Sequence, residues 1–203
     1  MAKLYFRYGA MNCGKSAQLL QVAYNYDERG MKILLIKPLI DTKGADEITS
    51  RTGISRKVDY LIDAKQSIKE IVDTHKDKIA AILVDEAQFL AKSQVDELYY
   101  MTKTTKASEY KIPVLCYGLR ADFQTELFEG STRLLALADA IEELKTICEC
   151  GKKATLNMRF KNGIPTFEGE QVEIEGDKDQ ITYQSVCGEC YMKAKENDVS
   201  EQT

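Results

Sequence analysis

The 203-residue sequence predicts an α/β fold, a mostly parallel sheet flanked by helices, with a small metal-binding appendage at its C-terminal end. Three observations predict it. From Lys3 to about Lys145 short apolar runs alternate with amphipathic helical stretches, the pattern of βαβ units. A glycine loop ending in Lys-Ser joins the first apolar run to the first helical stretch. Beyond Thr146 the character changes to paired cysteines, an Asn-Gly hairpin signal and alternating strand-like runs.

Each element has its own signal. KLYFRY, residues 3–8, is the first strand. After the glycine loop, Leu19, Val22, Ala23 and Tyr26 recur at helical spacing, and Gly30 supplies a stop. KILLIK follows as a second strand. Residues 38–57 have turn residues and mixed charge but no period, so they predict a long loop. KVDYL predicts a short strand, SIKEIVDTH a helix, IAAILVDE a buried strand and SQVDELYYMTKTT another helix. IPVLCYGL reads as a buried strand with Cys116 as a small core residue, and STRLLALADAIEELK as a last helix. His75, the only histidine, falls at a helix end as a solvated or capping residue. In the appendage, Asn162-Gly163 predicts a hairpin, and QVEIE and QITYQSV predict strands. The polar KENDVSEQT predicts a disordered end. The expected domains are 1–145 for nucleotide binding, 146–192 for the appendage and 193–203 as a flexible tail.

Composition narrows the function classes. The absence of a run of about 18 apolar residues argues against a membrane span, and the N-terminus lacks the order of a signal peptide, so the expected home is cytoplasmic. A net charge of −4 argues against a nucleic-acid surface, which needs clustered Lys and Arg. In a reducing compartment, six cysteines of which four cluster favour metal ligation over disulfides.

Gly9, Ala10, Met11, Asn12, Cys13, Gly14, Lys15 and Ser16 fit G-x-x-x-x-G-K-[ST], after a strand and before a helix, which makes the expected fold P-loop NTPase-like. Loop amides and the positive helix end can wrap phosphate oxygens, Lys15 can reach the terminal phosphates, and the Ser16 hydroxyl can ligate Mg²⁺. Such a loop needs an acid at the end of a neighbouring apolar strand, and AAILVDE supplies Asp85. Adjacent residues at a strand end point to different sides, so Asp85 can serve the metal while Glu86 takes a proton from a water or a substrate hydroxyl. A GTP switch needs Asn/Thr-Lys-x-Asp, and Thr42-Lys43-Gly44-Ala45-Asp46 places its acid one residue late. A helicase needs a second motor domain and a basic track, which leaves a small-molecule kinase in front. A nucleic-acid-binding ATPase with a zinc ribbon stays open as the alternative, and salt-dependent retention of DNA or RNA would distinguish it.

With VDEAQF (Val84 to Phe89), YGLRADF (Tyr117 to Phe123) and the cysteine pairs, the sequence resembles the cytosolic zinc-containing thymidine kinase family from Lys3 to about Met192. The resemblance implies transfer of the γ-phosphoryl group of ATP to the 5′-hydroxyl of thymidine, feedback by dTTP and a homotetramer. It implies Glu86 as general base, Ser16 and Asp85 as Mg²⁺ holders with Asp41 as a further acid, and Ala87 and Gln88 as part of the ATP site. It implies Met11, Phe89, Leu119, Phe123 and Phe128 as nucleoside-pocket residues. Phosphoryl transfer is mostly positioning and charge neutralisation, done here by amides, Lys15, Mg²⁺ and an arginine such as Arg51.

Cys148-Glu149-Cys150 and Cys187-Gly188-Glu189-Cys190, 36 residues apart, give two thiolate pairs able to close a tetrahedral Zn²⁺ site. Four sulfurs leave no open position, so the metal is expected to be structural and to tie together the ends of 151–186. By the same resemblance, this segment is a lasso that reads thymine largely through its backbone. Val172, Glu173, Ile174, Glu175 and Gly176 match its base-binding stretch, and Tyr183 matches the tyrosine before the second pair. Where many relatives carry a double glycine, this chain has Glu175-Gly176-Asp177.

Overall fold

The computed structural model describes residues 2–39, 46–75, 78–104, 110–173 and 180–201. The chain forms two compact units, the first made of Met1–Tyr8, Gly14–Gly118 and Glu129–Glu143, the second of Gly9–Cys13, Leu119–Phe128 and Leu144–Thr203. The second unit therefore takes two short pieces, 9–13 and 119–128, from within the stretch expected to form the nucleotide-binding domain.

In the first unit the elements run β1 (Leu4–Tyr8), α1 (Lys15–Asp27), β2 (Ile33–Pro38), β3 (Glu47–Thr49), β4 (Ser55–Lys57), β5 (Tyr60–Ile62) and α2 (Ile68–Thr74). They continue with β6 (Ala81–Val84), α3 (Lys92–Lys103), β7 (Val114–Gly118), α4 (Glu129–Leu137) and β8 (Ala140–Glu143). Six strands form one sheet in the order β5-β2-β6-β7-β1-β8. Every pairing in it is parallel. The apolar runs Ile33–Ile36 and Ala81–Val84 are buried without alternation, as strands covered on both faces must be. Alternate residues of four strands, among them Leu4, Phe6, Leu34, Ile36, Ile82, Val84, Val114 and Cys116, share one core with Ile68, Ile71 and Val72 of α2, Val95, Leu98 and Met101 of α3, and Leu134 of α4. Helix α1 buries Leu19 and Ala23 of the four expected positions, together with Leu20, while Val22 and Tyr26 are half-buried.

Three expectations are corrected here. The helix expected over 131–145 stops at Leu137, and residues 140–143 form the edge strand β8 beside β1. Asp139 is the reason. Its amide donates to the Leu4 carbonyl at 2.8 Å, its carboxylate accepts from the Leu4 amide at 2.8 Å, and Lys103 pairs with it at 2.7 Å, so the chain is captured against β1. Within 38–57, expected as a loop, β3 and β4 pair as an antiparallel hairpin around buried Ile48, its turn closed by Ser50, whose hydroxyl and amide both bond to the Ile54 carbonyl. The strand expected as KVDYL is shifted to Tyr60–Ile62, because Lys57 already belongs to β4. Ser67 caps α2 by accepting from the Glu70 amide at 3.2 Å. His75 ends the same helix, as expected, with its ring edge-on to Tyr60.

The second unit contains β9 (Thr146–Ile147), β10 (Lys153–Ala154), β11 (Leu156–Lys161), β12 (Ile164–Thr166), β13 (Ile181–Val186) and α5 (Gly188–Glu201). A two-stranded β10-β9 pair and a three-stranded β12-β11-β13 sheet are both antiparallel. Asn162 and Gly163 take φ of 52° and 80°, the left-handed pair that a two-residue hairpin turn needs, which realises the Asn-Gly signal. A small core of Cys148, Ala154, Met158, Val186, Cys187 and Tyr191 holds the unit together. Two readings are corrected. Residues 171–173 form no strand, and α5 carries the chain as helix to Glu201, where composition predicted a flexible end. No described helix is long and apolar enough to cross a membrane.

Candidate active site

In the first unit, residue patterns and sheet geometry bring together one cluster at the carboxyl ends of the parallel strands, where such sheets place ligands. Gly14, at φ 85°, opens α1, and the Gln18 amide closes the first turn onto its carbonyl at 3.0 Å. Lys15 and Ser16 follow directly, in the first turn of α1. Asp85 lies just past the end of β6. That strand is not the immediate neighbour of β1, as the motif logic assumed, because β7 lies between them. The Ser16 Oγ is nevertheless 3.4 Å from an Asp85 carboxylate oxygen. The other Asp85 oxygen is buried without a partner in a residue that is 3% exposed. Burial, then the Glu86 charge, push the Asp85 carboxyl up to about 7, against the Glu86 amide and the Lys37 and Lys15 charges. A buried, unpaired carboxylate oxygen beside a hydroxyl is a donor set that fits a hard divalent cation, which takes oxygen ligands.

Glu86 follows in a left-handed conformation, φ 50° and ψ 38°, and leads into a 3-10 turn at Ala87–Phe89. Holding a non-glycine residue there costs about 1 kcal/mol, and such strain tends to mark sites. The turn is seated by two glycines. A Cβ on Gly118 would come 2.7 Å from the Gln88 side-chain oxygen, and one on Gly130 would come 2.5 Å from the Ala87 carbonyl. Buried Gln88 donates its side-chain amide to the Glu86 carboxylate at 2.6 Å and so fixes where that carboxylate sits. Phe89 is half-buried in the same turn, while Arg51 is exposed in the turn between β3 and β4. Asp41 lies outside the described residues.

In the second unit the first part of the glycine loop is held by side chains of the appendage. The Met11 amide donates to the Asn157 Oδ1 at 2.8 Å, and the Met11 carbonyl accepts from the Ser185 hydroxyl. Asn157 and Ser185 stand opposite each other in β11 and β13, and Asn157 also donates to the Ala121 carbonyl at 3.2 Å. Gly9 packs so closely that a Cβ there would meet the Cys13 sulfur and the Leu144 carbonyl, both at 2.5 Å. Leu119 is half-buried, and Phe123 and Phe128 are buried. Val172 is exposed, and the Glu173 carbonyl accepts from the Tyr183 hydroxyl at 3.0 Å. Ile174, Glu175 and Gly176 lie outside the described residues.

The four expected cysteines converge. Sulfurs of Cys148, Cys150, Cys187 and Cys190 lie within 4.8 Å of one another, and those of Cys150 and Cys187 are 3.5 Å apart. A tetrahedral site with Zn–S of about 2.3 Å has S–S edges of about 3.8 Å, so this cluster can hold a metal ion of that kind. Backbone amides of Cys150 and Cys187 draw the Cys148 thiol down to about 7. The Cys190 amide lowers Cys187, whereas the Cys190 thiol, hydrogen-bonded to the Cys150 and Cys187 sulfurs, is pushed up to about 12. Thiols this close cannot all ionise together without a cation among them.

Residue patterns missed Lys37, Asn157, Ser185 and Arg159. Lys37 could have been found as the one charge in an otherwise apolar strand, whereas Arg159 shares β11 with Lys161 and Asn157 and has no such signal. Asn157 and Ser185 carry none, since their partner is a backbone group more than 140 residues away.

A sequence model described as thymidine kinase matches residues 2–191. The chain is 49% identical to the thymidine kinase of Haemophilus influenzae over 191 residues, covering 92% of this chain and 94% of that one. It is 49% identical to that of Coxiella burnetii over 181 residues, covering 87% and 90%, and 46% identical to that of Lactobacillus acidophilus over 197 residues, covering 92% and 94%. The glycine loop, the strained Asp85-Glu86 corner and the sulfur cluster thus lie inside a match that spans nearly the whole sequence at almost half identity, and the chain belongs to the thymidine kinase family.

Proposed function

We propose that this kinase transfers the γ-phosphoryl group of ATP to the 5′-hydroxyl of thymidine, giving dTMP and ADP, with Glu86 as the general base. The observation that carries this reading is the Asp85-Glu86 corner. Two adjacent carboxylates have different surroundings, one buried beside Ser16, the other aimed by Gln88. Such a pair suits two tasks.

Loop amides from Gly9 to Gly14 and the Lys15 ammonium hold the phosphates, with Ala10, Met11, Asn12 and Cys13 supplying backbone and Ala87 and Gln88 closing the site. Ser16 and Asp85, with Asp41, hold Mg²⁺, which when bound screens the phosphate charge. As the 5′-oxygen bonds to the γ-phosphorus, its proton passes to the Glu86 carboxylate, the bond from the γ-phosphorus to the bridging oxygen breaks, and ADP leaves with that electron pair. Arg51 adds charge neutralisation. Met11, Phe89, Leu119, Phe123 and Phe128 line the sugar and base pocket, with Val172, Glu173, Ile174, Glu175, Gly176 and Tyr183 from the lasso. The four cysteines hold a structural Zn²⁺ that shapes this pocket without touching the chemistry. The domain carrying phosphate chemistry spans 1–145 and the zinc and lasso domain 146–192. Cytoplasmic location, a homotetramer and feedback by dTTP complete the reading.

A panel of nucleosides with ATP-Mg²⁺ tests it. Thymidine is expected to give labelled dTMP, and deoxyuridine to react with roughly fivefold lower kcat/KM, since a buried methyl is worth about 1 kcal/mol. No phosphorylation of thymidine would end the reading.

Asp85 supports a second prediction, with its sign fixed by linkage. Its folded-state pKa of about 7 lies above its ordinary 3.8, so in magnesium-free protein ionising it costs stability. That cost is absent below about pH 4, grows as pH rises toward 7 and is complete above it. Asp85→Asn is therefore expected to raise the magnesium-free Tm at pH 8 by about 5 °C, with a smaller gain at pH 5.5, while turnover is lost. Melting curves at both pH values check this, and a gain independent of pH would contradict it.

A further inference from the structure

We propose that Arg159 is a positioning residue for nucleoside recognition: its buried guanidinium fixes the arm of the lasso that carries Val172 and Glu173. This rests on the lasso reading above and goes beyond it, because Arg159 itself is not among the residues expected to meet the nucleoside.

Arg159 sits in the middle strand of the three-stranded sheet and is 2% exposed. Burying an arginine costs stability unless its charge is paired, and here the two Nη atoms are met while Nε has no partner among the described residues. Its Nη1 donates to the Glu170 carbonyl at 2.8 Å and its Nη2 to the Glu168 carbonyl at 2.5 Å. The Glu173 carboxylate lies 3.1 Å from Nη1. The guanidinium stacks on Phe123, its central carbon 3.6 Å from the ring centroid. One side chain thus joins a proposed pocket aromatic to three residues of the arm.

Neighbouring contacts secure the rest of the arm. The Gln124 side chain donates to the Phe167 carbonyl at 3.2 Å, and Gln171 donates to the Asp122 carboxylate at 2.9 Å. Asp122 is itself fixed, accepting from the Gln124 and Glu126 amides at 2.8 and 2.9 Å. Tyr183, the register partner of Arg159 in β13, donates to the Glu173 carbonyl. Gly169 makes the approach possible. Its φ is 117°, and a Cβ there would lie 2.5 Å from the Arg159 Nη2. The arm is therefore held by the chain's own contacts, and among the described residues Arg159 is the group that touches its carbonyls, its acid and Phe123 together. Lysine cannot replace it, since a point charge lacks both the fork and the stacking plane.

The test uses Arg159→Lys, Gly169→Ala and, as a pocket control, Phe128→Ala in the full-length enzyme. Arg159→Lys and Gly169→Ala are expected to raise the thymidine KM at least tenfold while the ATP KM stays within about twofold and kcat at saturating thymidine within about threefold. Glutamyl endopeptidase is expected to cut both variants after Glu168, Glu170 or Glu173 at least tenfold faster than the parent, with the rest of the chain resistant. Gly169→Ala carries the test alone if Arg159→Lys does not fold. Parallel rises in both KM values would make Arg159 a general structural residue and overturn the proposal. So would an unchanged thymidine KM in a variant whose arm is cut faster. If Phe128→Ala raises the thymidine KM and the arm variants do not, the pocket stands and the arm's role falls. If none of the three raises it, the pocket reading falls and the proposal with it.

Discussion

Glu86→Gln is expected to lower kcat by about 10²- to 10⁴-fold, the usual contribution of a positioned general base, while the KM for ATP and for thymidine stays within a few fold. The substitution isolates proton transfer. Glutamine has the same shape, and its side-chain oxygen can still accept from the Gln88 amide that now sits 2.6 Å from the carboxylate. The left-handed corner at φ 50° belongs to the backbone and is seated by Gly118 and Gly130, so it does not depend on the charge. What glutamine cannot do is take the 5′-hydroxyl proton. Binding energy without proton acceptance leaves ground-state affinity and removes rate, which is why kcat should carry the whole effect. Steady-state kinetics with direct nucleotide titration measure both quantities. A kcat within about fivefold of the parent would reject Glu86 as base and turn attention to a water.

The parts of this site that local chemistry specifies were legible in the sequence. A glycine loop between a strand and a helix, an acid at the end of an apolar strand, two cysteine pairs and an Asn-Gly turn each depend on a few adjacent residues, and the structure contains all four. Tertiary capture was not legible. AIEE could continue a helix, and only the Asp139 grip on Leu4 makes it an edge strand. The short β3 and β4 strands escape a periodicity argument because three residues hold barely one alternation. The helical end of the chain was misread because polar composition describes solvent contact, and an exposed helix is as polar as a disordered tail. Arg159 was the costliest omission, since two of its partners are backbone carbonyls and the others, Glu173 and Phe123, lie far from it in sequence.

Loss of the metal is expected to have the widest effect. Cys187→Ser should abolish turnover, more than 100-fold, and remove a separate cooperative step from thermal unfolding. The second unit explains why. Among the described residues the apolar cluster around the sulfurs has six buried members, two of them cysteines of the site, and its β9 and β10 strands are two residues each, little to fold on hydrophobic burial alone. A structural zinc site is worth on the order of 10 kcal/mol or more in small peptides, comparable to the entire stability of a domain. Two functions hang on it. Ser185, two residues before Cys187, holds the Met11 carbonyl of the glycine loop proposed to bind phosphate, and β11 and β13 carry Arg159 and Tyr183, which hold the arm proposed as the lasso. Zinc loss should therefore weaken ATP and thymidine binding together, in contrast to the thymidine-only loss expected of Gly169→Ala. Metal analysis of the purified parent should give one zinc per chain, and calorimetry with nucleotide titration of Cys187→Ser reads the rest. A zinc-free variant with parental melting and parental turnover would show that the sulfurs cluster for packing alone.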